Sequence, residues 1–200
     1  MSLLFESIKI ENGLIYHLDL HQNRVNRSLK YLDATSTHNL NEFITNISLP
    51  STGLYKLRIS YDLTRIITYS ITPYTSKDKI EHIKLMDGSH IKYRLKYEDR
   101  TSINQLLEEA KADEIIMTDQ GYLTDSSYAN IILYDGLNWH TPKTPLLHGV
   151  QREYLIKTHQ LIPSAIHCKE LHYYRYICFI NALNPIETAI KYKIDQLKIS

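Results

Sequence analysis

Between Gly121 and Tyr154 the chain reads G-Y-L-T-D-S-S-Y-A-N-I-I-L-Y-D-G-L-N-W-H-T-P-K-T-P-L-L-H-G-V-Q-R-E-Y. This stretch constrains the fold more than any other. Its short apolar runs are broken by Gly, Asp, Asn and Pro, the punctuation of brief strands joined by turns. Asp125 stands five positions before Asn130, which opens an apolar strand, Asn130 to Tyr134. The pair Thr141-Pro142 follows, and then Gly149 leads into a helix over Gln151 to His159. A buried acid among hydroxyl and amide donors, with a glycine turn at a helix start, suits a ligand carrying a cationic ring nitrogen at one end and a phosphate at the other.

The rest of the chain reads as mixed helix and strand. Leu3 to Ile10 alternates as a strand, Glu11-Asn12-Gly13 signals a hairpin turn, and Leu14 to Leu18 returns. Helical spacing over His21 to Leu32 and Leu40 to Ile47 is followed by an antiparallel pair, Leu54 to Tyr61 and Arg65 to Pro73. Later elements are a strand at Ile80 to Leu85, a helix at Ser102 to Ala110 with Ser102 as candidate cap, strands at Ile115 to Thr118 and Tyr122 to Leu123, and a strand at Tyr176 to Ile180. The fold class is α+β, divided near Gly88 into an N-terminal domain (1–88) and a C-terminal domain (89–200).

Composition excludes several classes. A formal net charge of +1 gives no field suited to nucleic acid. Two cysteines are too few for a disulfide framework, so a reducing, cytoplasmic setting is the expectation. The start M-S-L-L-F-E-S lacks the character of a leader, and no apolar run approaches the ~20 residues of a membrane helix. No phosphate-cradling glycine motif of nucleotide enzymes and no serine-hydrolase elbow occurs. His17 and His21 lack Cys or carboxylate partners at ligand spacing, so no metal site is expected.

In its order of elements, the chain resembles the class IV aminotransferases, the fold-type IV pyridoxal-phosphate enzymes. That family includes branched-chain and D-amino-acid aminotransferases and aminodeoxychorismate lyase. The segments that carry the resemblance are Thr124-Asp125, Ser126 to Ile131, Thr141-Pro142, Gly149-Val150-Gln151-Arg152, and H-Q-N-R-V-N-R-S from His21 to Ser28. It covers nearly the whole chain and marks it as a short, divergent member. It implies an N-terminal α/β sandwich, a C-terminal barrel-like domain that binds pyridoxal 5'-phosphate, small amino-acid and keto-acid substrates, and a homodimer.

The resemblance also implies roles. Asp125 would meet the ring nitrogen, where most relatives carry Glu. Ser126, Ser127 and Asn130 would support the cofactor. The N–H groups of Val150 and Gln151 would take the phosphate together with Arg24, although Gln151 replaces the family's Thr. The Schiff-base lysine is Lys96, because K-Y-E-D-R from Lys96 to Arg100 looks like the corresponding segment of short members; Lys92 is the alternative. An even separation sets both lysines on one face of a strand, so periodicity does not choose. Asn181 and Ala182 open a turn, Asn181 to Pro185, that resembles that of the lyase. Phe5, Arg58 and Tyr61 fall on the substrate side, with Arg58 as carboxylate binder. Arg58 and Tyr61, three apart, cannot both point the same way on a regular strand. Three activities follow: a class IV aminotransferase, a lyase that eliminates pyruvate from 4-amino-4-deoxychorismate, or a non-catalytic cofactor-binding homologue.

Overall fold

The computed structural model describes residues 3–76 and 79–200. The chain forms two compact units. The first runs through Ser76 and takes back Leu95–Asp99; the second holds the remainder to Ser200.

In the first unit the elements are β1 (Leu4–Glu11), β2 (Leu14–Ile15), α1 (Leu18–Tyr31), α2 (Leu40–Thr45), β3 (Leu54–Tyr61) and β4 (Ile66–Pro73). The four strands form one antiparallel sheet in the order β2-β1-β3-β4. Asn12 and Gly13, both at positive φ, make the tight turn between β1 and β2, which suits an Asn-Gly pair. Strand alternation puts Leu4, Glu6, Ile8 and Ile10 of β1 on one face, level with Tyr61, Ile59, Leu57 and Tyr55 of β3. Most of this face is the core of the unit, where Leu4, Ile8, Ile10, Leu57, Ile59 and Tyr61 pack with Val25 and Leu29 of α1 and with Leu40 and Ile44 of α2. The buried side of α1 is Leu20, His21, Arg24, Val25, Ser28 and Leu29, a stripe at helical spacing. Three of its six residues are polar, and those three are the His, Arg and Ser of the H-x-x-R-x-x-x-S segment.

The second unit contains β5 (His82–Asp87), α3 (Thr101–Ala110), β6 (Glu114–Asp119), β7 (Tyr122–Ser126), β8 (Asn130–Tyr134), β9 (Trp139–Pro142), α4 (Val150–Lys157), β10 (Ile162–Ser164), β11 (Tyr176–Ile180), β12 (Tyr192–Lys193) and β13 (Lys198–Ile199). They form one mixed sheet in the order β10-β9-β8-β7-β6-β5-β13, with β11 paired to β8 and β12 to β11. Its main core joins Ile83, Ile116, Leu123, Ile131, Leu133, Ile177 and Phe179.

Several expectations are revised. The strand expected at Ile80 to Leu85 begins two residues later and pairs in parallel with β6, which carries it into the second unit and gives a division at Ser76 where the sequence reading placed one near residue 88. The segment holding Lys92 and Lys96 is not a strand; only Tyr97 makes a bridge, with Leu4. Ser102 lies within the first turn of α3, and no side chain caps that helix. Trp139–Pro142 is a strand to which the sequence pattern gave no element. Pairing to β8, Leu133 to His140 and Tyr134 to Trp139, holds it extended.

Candidate active site

The first unit carries a buried charge cluster. β1 alternation forces Glu6 onto the core face, where a lone carboxylate would be costly. Arg24 of α1 answers it: Nε donates to Oε1 at 2.9 Å, and Nη2 donates to Oε2. His21 Nδ1 bonds the same Oε2 at 2.5 Å. Burial would raise the Glu6 carboxyl, but the Arg24 charge and the His21 hydrogen bond overcome it and hold it down at about 2. Burial depresses His21 against the pull of Glu6, so at neutral pH the ring is uncharged, donates through Nδ1, and leaves Arg24 as the counter-charge. Its Nε2 is buried without a hydrogen-bond partner. Arg24 therefore enters any phosphate site with one edge already held by Glu6, a residue that the sequence reading took only as part of a strand.

Lys96 belongs to this unit. Its carbonyl accepts from Phe5 N at 3.0 Å, and its Nζ lies 4.5 Å from the Phe5 ring centroid. It is half-buried, whereas Lys92 is exposed. Tyr61 and Arg58 face opposite ways, as their spacing requires. Tyr61 is 1% exposed in the core, where burial raises its hydroxyl well above the usual range, and Arg58 lies on the other face.

In the second unit, Asp125 ends as a buried carboxylate, 5% exposed. Oδ1 accepts from Asn130 Nδ2 at 2.7 Å and Oδ2 from Leu147 N at 2.9 Å. Burial dominates, and these neutral donors with the more distant Arg152 charge only partly offset it, so the carboxyl is raised to about 7. Asn130 Nδ2 also donates to Leu147 O at 2.9 Å. Its Oδ1 fills the space that a Cβ at position 149 would take, so Gly149 is required by close approach rather than by its φ. The five-residue offset from acid to Asn thus has a cause: Asp125 and Asn130 face each other across β7 and β8.

Gly149 is the N-cap of α4 and offers no side chain to it, so the first N–H groups of the helix have no side-chain cap. Val150 and Gln151 are each 2% exposed, and Gln151 Oε1 is buried without a partner. Arg152 has a role that the sequence reading missed. Its Nη2 donates to Pro142 O at 2.9 Å and its Nε to Thr141 Oγ1 at 3.3 Å, fastening the T-P pair to the helix start. Ser126 and Ser127 serve the turn between β7 and β8. Ser126 Oγ donates to Ala129 O and accepts from Ala129 N, and Ser127 N donates to the buried Glu114 at 2.9 Å. Asn181 Oδ1 accepts from Leu183 N and Asn184 N, shaping the turn that also holds Ala182.

The model of the amino-transferase class IV family matches residues 3–188. The chain belongs to that family. Class IV members are pyridoxal-phosphate-dependent aminotransferases or lyases, and the α+β fold described above matches theirs. An uncharacterized protein of Haemophilus influenzae is 36% identical over 188 residues, spanning 92% of this chain and 98% of that one. The crystal structure of a candidate 4-amino-4-deoxychorismate lyase from Haemophilus somnus is 33% identical, covers 93% of this chain and 98% of its own, and superposes with a TM-score of 0.84. An aminotransferase from Brucella abortus, bound to pyridoxal phosphate, shares the fold at 16% identity and a TM-score of 0.74, over 99% of this chain and 83% of that one. Against the class IV frame, the departures are Asp125 and Gln151. Both are buried, so each acts on the interior of the second unit.

Proposed function

We propose that this protein is a pyridoxal 5'-phosphate-dependent aminotransferase that moves an amino group between an amino acid and a keto acid, with Lys96 as the lysine that holds the cofactor. The observation that carries the reading is Asp125, a buried carboxyl whose hydrogen-bond donors are neutral and which is raised to about 7. Such a group is short of a cation, and a protonated pyridine nitrogen is the cation that the cofactor brings. The helix start at Gly149, free of a side-chain cap, fits a phosphate.

When bound, the cofactor supplies an electron sink for charge that develops at the substrate α-carbon. The chain's own residues do the rest. Asp125, ionised, keeps a proton on the ring nitrogen. In the second unit the N–H groups of Val150 and Gln151 would bind phosphate; in the first, Glu6 fixes the edge that Arg24 presents. Lys96, as the free amine, takes the α-proton and returns it, which requires a neutral side chain at working pH. Arg58 binds the substrate carboxylate.

A second reading is pyruvate elimination from 4-amino-4-deoxychorismate. The Asn181–Pro185 turn and the 33% identity to a candidate lyase favour it. Purified protein saturated with pyridoxal phosphate is expected to absorb near the visible edge, and borohydride is expected to fix the cofactor to Lys96, located by peptide mass mapping. Label on Lys92 moves the role there. Label on neither lysine defeats the enzyme reading and leaves a non-catalytic homologue. Formation of pyruvate from aminodeoxychorismate without an acceptor keto acid selects the lyase. Light scattering tests the homodimer expected of the family.

A further inference from the structure

The face of the β1–β3 pair turned away from the core carries a second polar arrangement. Phe5 stands opposite Ser60 and Ser7 opposite Arg58, so all four share that face. Glu98 reaches it from the Leu95–Asp99 segment, which is tied to β1 by Phe5 N to Lys96 O at 3.0 Å and by Glu98 N to Leu3 O at 2.9 Å. Arg58 Nη2 donates to Glu98 Oε1 at 3.2 Å, and Ser60 Oγ donates to the same oxygen. The Arg58 guanidinium carbon lies 3.7 Å from the Phe5 ring centroid, the ring that Lys96 Nζ also approaches. A lysine and a guanidinium thus gather around one aromatic ring, and the carboxylate two residues past the lysine bonds that guanidinium.

We propose that Glu98 is a specificity-determining residue that acts as an internal stand-in for the substrate carboxylate. It occupies Arg58 in the free protein, and an α-amino or α-keto monocarboxylate must displace it. This rests on the reading of Lys96 as the cofactor lysine. The two Arg–Glu pairs of the first unit show why displacement is available here and not at Glu6. Glu6 and Arg24 are buried and joined through two nitrogens. The Arg58–Glu98 pair has one contact, and its side chains are 34% and 29% exposed. A single-contact, partly solvated pair is weakly held. A ligand carboxylate that engages the guanidinium fork through both oxygens binds more strongly than one Glu oxygen does.

The test uses cofactor-free protein titrated with isovalerate, a monocarboxylate without an amine, followed through the Arg58 Nε–H NMR signal. That signal is assigned by its loss in Arg58→Gln. Glu98→Gln keeps the size and a hydrogen bond to Ser60 while removing the charge. It is expected to tighten isovalerate binding about fivefold, the scale of a partly exposed ion pair. Arg58→Gln, which lacks that signal, is expected to abolish isovalerate binding followed by calorimetry. Should Glu98→Gln fail to fold by circular dichroism, Glu98→Asp, which withdraws the carboxylate by one methylene, is expected to tighten binding about twofold by weakening the same contact. An unchanged Kd overturns the proposal. A weaker Kd also overturns it, because Glu98 would then be positioning Arg58 rather than competing for it. In cofactor-loaded protein, Glu98→Gln is expected to lower KM for amino-acid donors and leave KM for a primary amine without a carboxylate where it was. The titration needs no cofactor, so it stands or falls separately from the borohydride result at Lys96.

Discussion

Glu6 and Asp125 are both buried carboxylates, one in each unit, yet burial has opposite outcomes for them. Glu6 is held at about 2 and Asp125 is raised to about 7. Burial pushes both upward. Glu6 has Arg24 against two of its oxygens, while Asp125 has an amide side chain and a backbone N–H. The difference is the presence of an adjacent cation. The first carboxylate is finished by the chain itself, as part of a packed core. The second has only neutral donors beside it and the weaker, more distant charge of Arg152.

The largest expected effect comes from removing the charge that completes the first pair. Glu6→Gln leaves Arg24 buried without its counter-charge and is expected to cost about 3–5 kcal/mol at pH 7, measured by urea unfolding. The sign with pH is fixed by the lowered carboxyl: its contribution is present above the unfolded value of about 4.5 and is lost as pH falls toward 2. The gap between wild type and variant should close across that interval; a gap independent of pH would mean that Glu6 is not ionised.

Asp125 should behave in the reverse sense. Its carboxyl is raised, so the cofactor-free protein is favoured at low pH and loses stability as pH climbs from about 4 to about 7, by roughly 2–4 kcal/mol. Melting of Asp125→Asn should lack this descent, although the amide can accept only one of the two hydrogen bonds well. Pyridoxal phosphate at pH 8 should stabilise wild type more than the variant. Equal stabilisation would break the comparison, because Asp125 would then not be the partner of the ring nitrogen.

A smaller effect tests the room around that acid. Asp125→Glu restores the usual class IV residue but adds a methylene between Asn130 and Leu147, and is expected to destabilise the cofactor-free protein by about 1–3 kcal/mol through overpacking. A stabilised variant would show that the site is built for the longer acid. The smallest effect is a control at an exposed helix start. Asn39 Oδ1 accepts from Glu42 N at 3.1 Å at the start of α2, so Asn39→Ala is expected to cost about 1 kcal/mol, with no added pH dependence between 4 and 8.

Strands whose partners impose only what their own pattern already prefers were legible from the chain. Leu54–Tyr61, Asn130–Tyr134 and Tyr176–Ile180 run between the residues expected of them. So was the grouping of His21, Arg24 and Ser28 on one helix face, because helical spacing alone produces it. Trp139–Pro142 was not legible, since its extension depends on β8 and on Arg152 gripping Pro142 O. The role of Glu6 was hidden as well, because F-E in an alternating strand says nothing about a guanidinium arriving from α1. The same holds for Glu98 and Arg58, which are 40 residues apart.

By itself the sequence determined the α+β class, the helix start behind Gly149 and the helix face that carries His21, Arg24 and Ser28, since these follow from local pattern and residue chemistry. Tertiary structure alone decided which carboxylate is neutralised from within and which is left short of a cation. Ionisation in a buried site depends on what lies within a few ångströms in space, and those neighbours come from distant positions in the chain.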